Sequence, residues 1–219
     1  MSVSDSLVYV PKPKAITGHK FRQNVFAYNG RTFQPGQTMM CNILTGCRGQ
    51  YMNPRMSYLR FTLQNTGANP ITPDLTASSV ISRLSLYHGS NLLEDIQEYK
   101  VLHNLWTDMT GENDVMRTSS NVMEGGDNDR AGQAVAGNSS RVYCVPLLSG
   151  IVGTLQSKYL PVGALIGDMR LELVLEDQVP AVVGDSTWSV TGVELMLETT
   201  ELATDAAMMI EQANPGGYR

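Results

Sequence analysis

The chain has 219 residues, 42% hydrophobic and 17% charged, enough to bury a sizeable core in one β-sandwich domain. Its net charge of −5 is unevenly spread: residues 1–60 hold eight Lys or Arg against Asp5 alone, net +7, and the other 159 residues carry −12. No apolar run approaches the ~18 residues a helix needs to cross a bilayer, which excludes a helical membrane span.

In chain order, residues 7–10 form the first strand candidate, closed by Pro11 and Pro13. The missing amide protons suit a sheet edge or an arm able to add to a neighbour's sheet. Asn29-Gly30 marks a tight hairpin turn and Pro35-Gly36 another, followed by a strand over residues 37–44. Over 56–63, Leu59, Phe61 and Leu63 alternate with Tyr58, Arg60 and Thr62, a period of two that puts three apolar side chains on one face. A Pro- and Asn-rich loop over 65–73 leads to another half-buried strand, with Val80, Leu84 and Leu86 opposite Arg83, Ser85 and Tyr87.

Residues 88–91 have turn composition. Beyond them Ile96, Val101, Leu102, Leu105 and Trp106 recur at helical spacing, and Glu94, Asp95 and Glu98 sit where a helix dipole favours acids. The pattern predicts an acidic connector and an amphipathic helix of about three turns. Trp106 and Trp188 are expected to be core anchors. Residues 110–140 show almost no apolar periodicity, and so long a loop is usually functional or mobile. From 141 to 177 an apolar strand runs into a Gly-bounded helical turn at 149–153, then a Pro-containing extended segment. A strand with Met169, Leu171, Leu173 and Leu175 on one face follows. The apolar phase then slips between Val190 and Val193, predicting a β-bulge at Gly192. A short helix is predicted to start near Thr204 and to end before Asn214-Pro215-Gly216-Gly217. About eight strands with helical insertions predict an all-β fold, an antiparallel eight-stranded jelly-roll β-sandwich with a C-terminal helix.

The chain offers little to a catalytic reading. His19, His88 and His103 fall in a basic arm, a turn and a helix without metal-ligand spacing. Residues 162–168, VGALIGD, lack a phosphate-cradling glycine pattern, and 149–153, SGIVG, is not a serine-hydrolase elbow. Asp127 and Asp129 with Glu124 offer oxygen ligands for calcium, but without the terminal bidentate carboxylate they read as a solvated acidic loop. Cys41, Cys47 and Cys144 are odd in number with no zinc spacing, so free thiols are expected. The opening residues lack the features of a secretory signal, so a soluble chain kept in a reducing compartment is expected. No catalytic residue, metal, cofactor or small-molecule substrate is assigned, and the chain is not expected to be an enzyme.

An ordered series covers most of the chain: QPGQTMMCNILTG, MSYLRFTLQN, ISRLSLYHGSNLLEDIQEYKVLHNLW, VPLLSGIVGTLQSKYLPVGAL with DMRLELVLED, and VTGVELMLETTEL. It resembles the N-terminal jelly roll of the double-jelly-roll lineage of viral major capsid proteins, the Polinton-like, adenovirus-like and large-DNA-virus type. The resemblance implies a self-assembling structural protein whose sandwich stands perpendicular to an icosahedral shell, often over an internal membrane. Three copies would form a pseudo-hexagonal capsomer. Its partners would be further copies and other capsid proteins, and its place the virion, after synthesis in host cytoplasm or nucleus.

The division expected is an N-terminal arm over 1–22, a jelly roll over 23–200, and a C-terminal helix and tail over 201–219. Lys12, Lys14, Lys20 and Arg22 in the arm are the candidate assembly residues, meeting acidic neighbouring subunits, genome or internal membrane. The loop over 110–140 is expected at the capsomer top or a subunit boundary. Those relatives carry two jelly rolls and this sequence has room for one, which leaves open a piece of a double barrel or a single-barrel relative with more copies per capsomer. The alternative function is a jelly-roll carbohydrate- or ligand-binding module. A cupin-type metalloenzyme lacks its clustered His and Glu ligands.

Overall fold

Strict alternation of buried and outward side chains builds two facing sheets. In the computed structural model the described residues are 18–110, 121–125, 134–177, 181–184 and 187–214. Eight strands carry the architecture: β1 (Gly18–Phe26), β3 (Thr38–Ile43), β4 (Gln50–Asn65), β6 (Ile81–His88), β7 (Asn91–Gln97), β8 (Ser140–Pro146), β9 (Met169–Leu175) and β11 (Trp188–Leu202). Three two-residue strands complete the set: β2 (Thr32–Phe33), β5 (Thr72–Pro73) and β10 (Val182–Val183). The candidate strand over 7–10 lies outside the described residues.

The long strands pair as nested antiparallel couples: β6 with β7, β4 with β8, β3 with β9, and β1 with β11. The chain is thus folded in half about the turn at Gly89-Ser90, and the doubled ribbon is then rolled. Rolling sets β11 against β4 and β9 against β6, giving sheets ordered β1-β11-β4-β8 and β3-β9-β6-β7. β2 extends the first sheet along β11, and β5 pairs with β10 apart from both sheets. This is the antiparallel jelly roll expected from the sequence.

Between the sheets lie Leu59, Phe61 and Leu63 from β4, Leu84 and Leu86 from β6, Leu171 and Leu173 from β9, and Val190, Leu195 and Leu197 from β11. Trp188 is buried with them, as expected. The predicted bulge is present: the β11–β4 register shifts between Thr191 and Glu194, and Gly192 takes a φ of +60° that a side chain would strain. A second shift faces β4 residues 54–57, where Pro54 has no amide proton for the ladder.

Three local expectations are corrected. The acidic connector is strand β7: Glu94 and Asp95 pair with Leu86 and Ser85 of β6, so they do not serve a helix dipole. Cross-strand pairing through the tight turn overrides the local pattern. Helix α1 (Tyr99–Thr110) starts only after Glu98 turns the chain with a φ of +54°. The segment 149–153 is a hydrogen-bonded turn, not helical, with Ser149 Oγ accepting from the amides of Ile151 and Val152. Trp106 is 43% exposed on α1 and is no core anchor.

A helical turn, α2 (Asn121–Glu124), lies against β8, and α3 (Thr204–Ala213) closes the described chain. The residue predicted to start the last helix does start it. Helix α3 is docked by buried Ala207 and by Arg48, whose Nη2 donates to Glu211 at 2.7 Å. Among the described residues no helix is long and apolar enough to cross a membrane.

The two tryptophans should separate core from surface. Trp188→Ala is expected to cost about 3–5 kcal/mol in urea unfolding, against less than about 1 kcal/mol for Trp106→Ala in the isolated subunit. Equal losses would refute the placement of Trp106.

Candidate assembly surface

Of the four predicted assembly residues, Lys20 and Arg22 are described and Lys12 and Lys14 lie outside the described residues. Lys20 and Arg22 stand in β1, paired along β11, rather than in a separate arm. Lys20 Nζ lies 3.7 Å from Glu198 and Arg22 Nη1 donates to the Tyr58 hydroxyl at 3.0 Å. The same outer face carries the Arg60–Glu194 pair at 3.1 Å and Asn53 donating to Glu198 at 2.8 Å. Charges there are matched across strands, with the short polar contacts that hold a sheet face in register.

The β7–β8 connection is built differently. Tyr99 and His103 are buried one turn apart on α1, and Lys100 Nζ lies 3.4 Å from Glu176. The Leu148 amide donates to the Tyr99 hydroxyl at 2.9 Å, and Asn104 Nδ2 donates to the Asp74 carbonyl at 3.3 Å. His103 bonds the Pro146 carbonyl, which can only accept, so the ring's other nitrogen, Nδ1, accepts from Ser78 Oγ at 2.9 Å. Ser78 in turn meets Thr76 Oγ1 at 2.6 Å. Burial pushes the His103 imidazole down to about 4, so the ring is neutral and structural.

Helix α1 therefore turns its polar stripe inward. Val101, Leu102, Leu105, Trp106 and Met109 face outward at 39–75% exposure, with Val122 and Met123 of α2 also exposed. The sequence pattern marks this apolar stripe as helical but takes it for the core-facing side. The signal that corrects it is the pair Tyr99 and His103, one turn apart, whose polar groups find partners beyond the helix only in the folded chain.

The remaining candidates form no site. His19 is exposed and stacks on Phe21, while His88 Nε2 is buried without a partner. Asp127 and Asp129 lie outside the described residues. Glu124 is buried on α2, and burial pushes its carboxyl up to about 7. Among the described residues no three His, Cys, Asp or Glu side chains cluster as a metal site. The cysteines are free, and burial pushes the Cys41 thiol up to about 12. Glu94, expected at a helix start, instead accepts from Ser149 Oγ at 2.5 Å and from the Gly150 amide at 2.8 Å, pinning β7 to the turn after β8. Asp95 accepts both guanidinium bonds of Arg83 at 2.7 Å.

No family model and no curated protein matches the chain. Among solved structures it is similar to the quasi-atomic model of the PBCV-1 virus capsid, with a TM-score of 0.64 at 12% identity, over 93% of this chain and 47% of that one. The shared fold is the jelly roll. PBCV-1 VP54, in a structure fitted into a reconstruction of the virophage Sputnik, matches at a TM-score of 0.57 and 12% identity, over 94% of this chain and 48% of that one. The jelly roll described here spans about half the length of those capsid chains.

Two buried titratable groups of the β7–β8 connection, His103 and Glu124, have opposite linkage. His103, lowered from 6.5 to about 4, contributes stability present above pH 6.5 and lost as pH falls through 4. Glu124, raised from 4.5 to about 7, contributes stability present below pH 4.5 and lost as pH rises through 7. Their effects oppose between pH 4.5 and 6.5. Urea midpoints of His103→Gln should rise as pH falls through this window relative to the parent, and those of Glu124→Gln should drop. Each change is expected to reach about 3 kcal/mol, and parallel profiles for all three proteins would refute the assignment.

Proposed function

We propose that this chain is a structural capsid protein whose copies assemble into the capsomers of an icosahedral viral shell. The observation that carries this reading is the nested eight-strand topology, superposable over 93% of the chain on a capsid protein at a TM-score of 0.64. A sandwich cross-linked by four nested strand pairs is a rigid block, and assembly asks for rigidity and matched surfaces more than for a reactive centre. The conspicuous feature of the described surface is an apolar helix face.

In this reading the chain acts in the virion after synthesis in host cytoplasm or nucleus, with copies of itself and other capsid proteins as partners. It works as a building block and not as an enzyme. The arm over 1–22 contributes its last residues to β1, the jelly roll runs over 23–200, and 201–219 form the helix and tail. Lys12, Lys14, Lys20 and Arg22 supply a basic stretch that engages the acidic remainder of neighbouring copies, with genome or an internal membrane as the other anionic partners. A trimeric, pseudo-hexagonal capsomer is the arrangement the resemblance favours.

Light scattering of the purified chain over a concentration series should give a trimer, hexamer or larger particle at low salt, with assembly weakened as salt screens the basic stretch. A strict monomer throughout would refute the capsomer reading. Replacing Lys12, Lys14, Lys20 and Arg22 together by Gln should raise the concentration needed for assembly and flatten its salt dependence. Unchanged salt dependence would remove these four residues from the interface.

A further inference from the structure

We infer that the outward apolar stripe of α1 docks head to tail on the β1–β3 flank of a second copy of this chain. The inference rests on the capsomer reading and names the surfaces that reading requires.

The topology gives the sandwich two different flanks. One is bounded by edge strands β1 and β3, the other by edge strands β8 and β7. Helix α1 leaves β7 and closes the second flank, tied by Tyr99 and His103 to the end of β8 and the turn after it. Its stripe of Val101, Leu102, Leu105, Trp106 and Met109 points away from its own core. A contiguous set of large apolar side chains, including an aromatic, is the composition expected at the centre of an interface.

The opposite flank offers the complement. The chain crosses from the first sheet to the second there, with Ala27 bridged to Cys41 and the Tyr28 amide bonded to Met40. Phe26 and Tyr28 are 63% and 56% exposed. Beside them a groove of about 570 Å³ opens where β1 leaves β11 before β2 begins, lined by Phe26, Ala27, Gly30, Arg31, Gly192 and Val193. Gly30 and Gly192 put no side chain into it, leaving room for a large apolar side chain from outside.

Charge selects the same pairing. Among the described residues, the connection holding α1 has Glu98, Asp108 and Glu124 against Lys100, whereas residues 18–43, which form the other flank, have Lys20, Arg22 and Arg31 and no Asp or Glu. Two α1 flanks brought together would repel, and so would two β1–β3 flanks, whereas unlike flanks attract. Because the two surfaces lie on opposite sides of one block, each copy offers one of each. Such a contact is heterologous and yields a ring when the rotation closes.

The test is a complementation experiment on the full chain by light scattering. Leu105→Ser with Met109→Ser disables the helix face and Phe26→Ser the other flank. Thermal melts check that each variant keeps its fold, and Trp106→Gln serves if the double variant does not. Each variant alone should need at least about tenfold more protein than the parent to assemble. An equimolar mixture should form a heterodimer that grows no further, because it pairs the one intact helix face with the one intact groove. If the parent assembles and the helix variants assemble equally well, the inference fails and the capsomer reading stands. If only the helix variants lose assembly, the contact is helix to helix and the head-to-tail assignment is overturned. A parent that never assembles refutes both.

Discussion

Strand β11 is the element on which the rest of the structure depends. Its fifteen residues hydrogen-bond to β4 on one side and to β1 and β2 on the other, so the last strand of the sandwich is central in its sheet. A strand that arrives last and sits in the middle closes the roll, because its two neighbours come from the start of the chain and would otherwise be edges. The shift at Gly192 is the local device that permits this. Without an extra residue there, Trp188 and Val190 would face the core only by turning Val193, Leu195 and Leu197 outward.

Helix α1 uses a second kind of constraint. An ordinary surface helix is held by an apolar face, yet α1 is held by Tyr99, His103, Asn104 and Lys100, each tied to a carbonyl, an amide, a hydroxyl or a carboxylate of the sandwich. Directional bonds fix the helix orientation, and a neutral imidazole suits a place where a charged one would be poorly solvated. The apolar residues are thereby left outside. An amphipathic helix turned this way leaves apolar area in water, a cost that association with another molecule removes.

A jelly roll alone does not specify a function, since the same architecture carries unrelated activities. In this chain the reading as a shell component gains weight from how the surface is spent. The outer face of the first sheet is a ladder of paired charges, and the β7–β8 flank is apolar. Of the buried titratable groups, Tyr99 and His103 pack together on α1, Glu124 is on α2 and Cys41 is in β3. Such an arrangement stabilises a block and marks its sides.

The sequence by itself determined the elements whose cause is local. Period-two alternation in β4 and β9, the turn at Gly89-Ser90, the phase slip at Gly192 and the start of α3 at Thr204 each follow from residues within one or two turns of chain, whereas Asn29-Gly30 makes no hairpin, because β1 and β2 both pair with the distant β11. The eight-strand jelly roll was legible from their order. Only the tertiary structure decided that 91–97 is a strand rather than a connector, because its partner β6 supplies the hydrogen bonds that its own acidic composition does not suggest. It also decided which side of α1 faces inward. Both sides of that helix repeat with the helical period, and the choice rests on Ser78, Glu176, Pro146 and Leu148, which are far away in sequence and adjacent only once the sheets have rolled. For the same reason the sequence placed Lys20 and Arg22 in an arm, while pairing with the distant end of β11 makes them part of a sheet.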